Sequence, residues 1–396
     1  MGITRRQLLG GAALGAGGAI VGAGAGVAGV NAATPAPPGP TGGDTEPFYG
    51  THQSGIATPV QAHAAFTAFD LDADADRASV ARLMRLLSDD ASRLMRGEPA
   101  LADLDEELAH APSRLTITFG FGPRLFDVIG RADKRPSSCA PLPDFSIDAL
   151  QERWSGGDLL IQICGDDRVS VAHARRMLWK DTESFATQRW LQQGFLDARG
   201  THEPGTTPRN LMGQVDGTVN PRTPEEFDEV VWSGGPPDWF VGGTMLAIRR
   251  IAMDLDTWDA VSRADRENTI GRRLTDGAPL TGDAEFDAPD LAAEGPDGAP
   301  VISDFAHIRR AATGGGAPFL RRGYNYDLGQ DASGRTDAGH IFTAYAADLD
   351  TQFIPVQQTL ADLDLLNLWT TPIGSSVFAL PPGAPEGGWV GEGLLG

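Results

Sequence analysis

Thr244-Met245-Leu246-Ala247-Ile248-Arg249-Arg250-Ile251 reads as a β-strand, and it leads through Met253-Asp254-Leu255-Asp256 into a helix near Trp258. The same order stands earlier in the chain. Ala64-Ala65-Phe66-Thr67-Ala68-Phe69-Asp70-Leu71 reads as a strand, and residues 79–94 carry apolar side chains at helical spacing. Residues 115–122 alternate as a strand until a Gly-rich turn, and 158–164 form a further strand. Residues 169–179 are helical, with Val171, Ala174 and Leu178 toward the core. Beyond the quoted stretch, residues 340–345 read as a strand, followed by Asp348-Leu349-Asp350 and a helix through Gln357 and Leu360. Strand, acidic turn and helix thus recur in two halves. That order fits an α+β fold built from a pair of βαββαβ units, each an antiparallel sheet covered by helices. The turn-rich stretch 201–208 marks the boundary, so 55–205 and 206–396 are expected as two domains.

The first residues are read as lying outside the fold. Thr4-Arg5-Arg6-Gln7-Leu8-Leu9 is a twin-arginine pattern, followed by a weakly hydrophobic Ala/Gly-rich run and by Val30-Asn31-Ala32, which suits a signal peptidase. Residues 1–33 are therefore expected to be a signal peptide that engages the twin-arginine export machinery. Residues 34–54 are rich in Pro, Gly and Thr and read as a flexible linker. The twin-arginine route carries folded proteins, which hints at a cofactor inserted before export. The net charge of −21 argues against nucleic acid and anionic membranes as partners. The two cysteines, Cys139 and Cys164, form neither a CxxC nor a CxxCH pattern, so no zinc knuckle and no covalent haem is expected.

Gly213-Gln214-Val215-Asp216-Gly217-Thr218-Val219-Asn220 sets a carboxylate in a glycine-flanked turn. Asp-Gly pairs mostly mark turns, and the alternating carboxylates of a calcium loop are missing. Two possible partners lie downstream. His307, one of seven histidines, follows Ile302-Ser303-Asp304-Phe305 and precedes Arg309 and Arg310. Residues 319–326 read as a strand, in which alternation sends Arg321 and Arg322 to opposite faces.

Together these segments resemble the dye-decolourising (DyP-type) haem peroxidases, in the branch that includes exported deferrochelatase/peroxidase proteins. The resemblance rests on the GxxDGT motif at 213–218, on His307-Ile308-Arg309, on Leu320-Arg321-Arg322-Gly323-Tyr324, and on residues 374–383 near the end. It runs in the family's order over about residues 55–383. It implies a tandem ferredoxin-like repeat, related to dimeric α+β barrels, with one haem b per chain held by the second half. It implies His307 as the proximal ligand to iron, with Asp216 and Arg321 as the catalytic pair on the distal side. Gly217, Thr218 and Val219 would line the haem, Asn220 would brace it, and Arg309 would meet a haem carboxylate. Asp364 is the candidate acceptor for the second nitrogen of His307. The family often carries Asn-Pro-Arg shortly after the His-Ile-Arg; here those places hold Ala312-Thr313-Gly314, so that haem contact is not carried over.

These residue types suit the chemistry. Hydrogen peroxide must lose a proton from one oxygen and gain it on the other before its O–O bond breaks, and a carboxylate within reach can shuttle that proton. A guanidinium stays protonated and stabilises the charge that builds as the bond cleaves. The expected function is an exported haem b peroxidase that oxidises bulky aromatic, dye-like reductants. Two other readings keep the haem: iron release from haem by a deferrochelatase, and a non-enzymatic haem-binding component of iron uptake. A carrier needs only His307 and a pocket, so Asp216 and Arg321 speak for an enzyme. The natural reductant and any homo-oligomer are not legible in these residues.

Overall fold

Strand β1 (His63–Leu71) is buried along both faces, which accounts for its nearly continuous apolar sequence. Ala64, Phe66 and Ala68 enter one hydrophobic cluster, and Ala65, Phe69 and Leu71 enter another. The computed structural model describes residues 40–396, so the signal-peptide reading of 1–33 and the first residues of the expected linker lie outside the described part.

In the first half, β1 is joined by β2 (Thr116–Phe121), β3 (Leu159–Gly165) and β4 (Ala186–Phe195), all antiparallel, in the order β2-β3-β1-β4. The second half repeats this with β5 (Thr244–Met253), β6 (Leu320–Arg321), β7 (Tyr324–Gln330), β8 (Thr336–Ala346) and β9 (Thr370–Leu380). Here β5 lies between β9 and β8, and both β6 and β7 pair with β8. Each half therefore has ferredoxin-like strand order. The two arrays do not stay apart. Phe121 pairs with Ala379 and Phe195 with Asn325, so the halves join edge to edge, and the β5–β8 ladder closes the strands on themselves. Residues Thr41–Gly396 form one unit, so the two expected domains share a single sheet.

Closure explains the two clusters. Phe66, Trp190, Leu246, Tyr324, Tyr345 and Phe378 fill the inside of the ring, while Phe69, Ile161 and Met245 face outward beneath helices. The helix Arg77–Met95 begins at Asp76, whose carboxylate accepts from the Ser79 amide while the Ser79 hydroxyl engages the Asp76 backbone. Its Leu83, Leu87 and Leu94 pack with Val171 and Leu178 of the helix Arg168–Thr182, which Asp167 caps.

Three local features depart from the sequence reading. Strand β4 escapes a periodicity argument because Gln192 points inward and stays buried, breaking the polar-out alternation. The strand expected over 319–326 is split into β6 and β7, with Arg322 and Gly323 between them. The expected linker is packed from Thr41 onward: Gly42 and Asp44 carbonyls accept from the Ser113 and Arg114 amides. Gln53 is buried and bonds both the amide and the carbonyl of Phe119. Cys139 and Cys164 are both buried as free thiols.

The seam between β4 and β7 depends on Gly194. A Cβ at that position would lie 2.6 Å from the Tyr324 Cβ and 3.1 Å from the Asn325 carbonyl oxygen. Gly194→Ala should therefore overpack the seam and lower stability by roughly 1–3 kcal/mol in denaturant titration. Gly234→Ala, where a Cβ meets nothing within 4 Å, is the matched control and should stay near wild type.

Candidate active site

The Gly213–Asn220 loop folds as it does because its glycines take conformations other residues avoid. Gly213 has φ +82° and Gly217 φ +127°. Between them the Asp216 amide donates to the Pro208 carbonyl at 2.9 Å, and Arg209 bridges to Val215. Asn210 holds the turn from within. Its side-chain oxygen accepts from the amides of Met212 and Gln214, and its Nδ2 donates to Asp216 Oδ2 at 3.3 Å. Asn210 went unnoticed in the sequence, where its position before the glycine turn was the only cue.

Asn220 ties this loop to β6. Its Nδ2 donates to the Arg321 carbonyl at 2.7 Å, and its Oδ1 accepts from the Arg321 amide at 2.9 Å. The side chain thus pairs with a strand backbone as a neighbouring strand would. Arg321 lies opposite Ala344 in the β6–β8 register, while Leu320 lies opposite Tyr345 in the inner cluster. Alternation then turns Arg322 inward, where it is buried and donates to Gln61 and to the Thr58 carbonyl.

Arg321 Nη1 stands 3.9 Å from Asp216 Oδ1, and His340 Nε2 stands 3.9 Å from Asp216 Oδ2. Neither is a direct hydrogen bond. Burial works to raise the Asp216 pKa, but His340, Arg321 and the Asn210 amide outweigh it, and the carboxyl lies below its ordinary value. His307 opens the helix His307–Thr313. Its Nδ1 donates to Asp364 Oδ2 at 2.6 Å, and Asp364 Oδ1 accepts from the Leu366 amide. The Asp364 side chain is almost fully buried. Burial opposes charge on His307, but the Asp364 carboxylate more than offsets it and holds the imidazole pKa above its ordinary value. With Nδ1 engaged, Nε2 is the nitrogen left to bind a metal.

The side chains of His307, Asp216 and Arg321 are 28%, 33% and 27% exposed, and Asp216 and Arg321 line one depression. The remaining predicted residues are less uniform. Thr218 donates to Glu285, and Val219 is exposed. Arg309 donates to the carbonyls of Leu291, Ile302 and Ser303, so its guanidinium is largely occupied by backbone. The neighbouring Arg310 has a buried Nε with no hydrogen-bond partner among the described residues. Elsewhere His173 pairs with Asp103, and His52 stacks on Trp232 and bonds the Gly242 carbonyl.

Known proteins resemble this chain along most of its length. The N-terminal Dyp-type peroxidase family model matches residues 53–196, and the C-terminal one matches residues 207–385. The chain is 38% identical over 361 residues to a dye-decolorizing peroxidase of Thermobifida fusca, covering 87% of this chain and 83% of that one. It is 36% identical over 374 residues to a deferrochelatase of Escherichia coli (strain K12), covering 89% and 88%. A solved structure of a DyP-type peroxidase from Cellulomonas bogoriensis is 48% identical, superposes with a TM-score of 0.86, and is covered to 99% by 90% of this chain.

Asn220→Ala removes both bonds to the Arg321 backbone and leaves its amide and carbonyl without a side-chain partner. The expected loss is about 1–3 kcal/mol of stability, read from denaturant unfolding. Thr218→Val, which removes one part-buried bond to Glu285, should cost less.

Proposed function

The chain belongs to the Dyp-type peroxidase family and is a haem-dependent enzyme with haem b as its cofactor, and from that premise we propose how its residues divide the work. His307 is the iron ligand, Asp216 the proton shuttle, and Arg321 the fixed cation of the distal side. The observation that carries this reading is the pairing of Asp216 with Arg321 in one depression, together with a separate His307 whose Nδ1 is already engaged by Asp364.

The residues fit the cofactor. His307 offers a single free nitrogen, and the unpartnered Nε of Arg310 could meet a carboxylate. Phe305, Leu365 and Leu368 expose apolar surface on the segments that carry His307 and Asp364, as an apolar macrocycle requires. When bound, haem would supply the redox centre that reduces peroxide and takes electrons from a donor. The protein does the rest. Asp364 keeps the proton of His307 on Nδ1 and makes the ligand more electron-rich. Asp216, ionised because its pKa is lowered, accepts a proton from one peroxide oxygen and returns it to the other. Arg321 stabilises the negative charge that develops between those steps. Asn220 holds Arg321 at its distance from Asp216 through backbone bonds.

The substrates proposed are hydrogen peroxide and a bulky aromatic donor. Export by the twin-arginine route follows from Thr4-Arg5-Arg6-Gln7-Leu8-Leu9 and the Ala/Gly-rich run after it. Among the described residues no helix is long and apolar enough to cross a membrane. The division into halves near 205 remains useful for the proposed haem site, since all of its residues come from 206–396. Similarity to a protein named deferrochelatase supports a second reading, iron release from haem.

Purified mature protein with an anthraquinone dye and peroxide tests the first reading. Asp216→Asn and Arg321→Ala should each slow peroxide-dependent dye oxidation by about 10²–10³-fold while keeping the Soret band. Wild-type rates in both variants would remove the proposed distal roles. Asp364→Ala should weaken haem retention by roughly 10–100-fold in transfer to an acceptor protein, and His307→Ala should lose the iron–histidine spectrum. Free iron appearing from haem without peroxide would favour the second reading.

A further inference from the structure

Asp216 has a third neighbour that the division of work above leaves unused. His340 lies on β8, on the same face as Ala344, the register partner of Arg321. The residue is only 7% exposed, and its buried Nδ1 has no hydrogen-bond partner among the described residues. Its ring is seated on the backbone where β6 and β7 separate. A Cβ on Gly323 would lie 2.0 Å from His340 Nε2, so the break in the strand and the glycine make room for this imidazole.

The geometry about Asp216 is two-sided. Arg321 stands 3.9 Å from Oδ1, and His340 Nε2 stands 3.9 Å from Oδ2. The latter span is too long for a direct bond and suits one bridging water. The depression lined by Asp216, Asn210, Arg321 and His340 has room for such a water and the polar groups to hold it. We propose that His340 is a positioning residue of the distal pocket, sharing a proton with Asp216 across one water and thereby setting the pH at which Asp216 can accept a proton. The inference rests on the reading of Asp216 as the shuttle.

The charged groups that face His340 are few. Asp216 and Arg209 come from the glycine loop and its approach, and Arg321 comes from β6. Arg209 is bound to the carbonyls of Gly213, Leu274 and Thr275. The register partners on β5 and β7 are the uncharged Ile251 and Asn325. Burial, with Arg321, pushes the His340 pKa down, although Asp216 pulls the other way. The imidazole is then neutral near neutral pH and takes a proton only in acid. Once charged, it helps keep Asp216 ionised. Above that range, Arg321 and Asn210 continue to do so, with a smaller contribution from His307. No electron moves in this exchange: the proton passes between Asp216 Oδ2, the water and His340 Nε2, and the two ionisations belong to the pair.

The test uses haem-loaded protein and cyanide, whose neutral acid must leave its proton on the distal base when it binds. Its affinity, read from the Soret band, should be level at neutral pH and weaken about tenfold per pH unit once that base is protonated. In His340→Leu and His340→Gln the midpoint should move upward by about one pH unit, because a charge 3.9 Å from the carboxylate has been removed. The acid limb of peroxide cleavage in stopped flow should move with it. Midpoints that superimpose on wild type in either folded variant overturn the proposal. So does an equal loss of affinity at every pH with an unmoved midpoint, the mark of a merely structural role. Asp216→Asn separates the two claims. If it keeps the wild-type midpoint, Asp216 is not the titrating group and the shuttle reading fails as well. If it abolishes the limb while the His340 variants match wild type, only this inference fails.

Discussion

Two hydrogen bonds between the Asn220 side-chain amide and the Arg321 backbone set the distance between the glycine loop and β6. Asp216 and Arg321 are far apart in the chain, and each is carried by a short, irregular piece of backbone. Apart from that clasp the loop is anchored by its own turn, by Asn210 and by the Thr218 bond to Glu285. A side-chain amide paired with a strand backbone uses the geometry of sheet pairing. It confers a strand-like register on a segment that is not a strand.

The clasp can work because β6 is itself held. β6 pairs with β8, β8 with β5, and β5 with β9, so Arg321 is referenced to the closed ring. The ring is shared by both halves, and Gly194 and Gly323 are places where it approaches itself too closely for a side chain. The surroundings of His307 are built differently. There the His307 helix and the turn after the helix Phe353–Leu363 are tied by His307 to Asp364 and by the Leu365 amide to the Phe305 carbonyl. Asp364 serves two partners, capping the turn with one oxygen and orienting the imidazole with the other. A carboxylate with both oxygens engaged has little freedom, and the ring it holds inherits that rigidity.

Legibility in the sequence followed burial. β1, β3, β5 and β8 were readable because their apolar residues are continuous or alternate. β4 was not, since the ring interior accepts Gln192 and the outer edge is polar. In the site, Asp216, His307 and Arg321 stood out by type and order, and Asp364 by its place at the start of the segment 363–367. Asn210 and His340 did not, because an Asn before a turn and a His within a strand carry no local mark. Arg309 was expected to meet a haem carboxylate, and only the structure shows its guanidinium taken up by the carbonyls of Leu291, Ile302 and Ser303.

What the sequence determined by itself was the repeat of elements, the antiparallel class, the family and the residue types the chemistry requires, since these depend on local periodicity and on motifs a few residues long. What the tertiary structure decided was that the halves close one ring, that Asn220 clasps Arg321, and that His340 stands opposite Arg321 about the Asp216 carboxylate. Those facts arise from strand register between segments remote in the chain. Register is set by the sum of many backbone bonds and packing contacts, and no short stretch of residues encodes it.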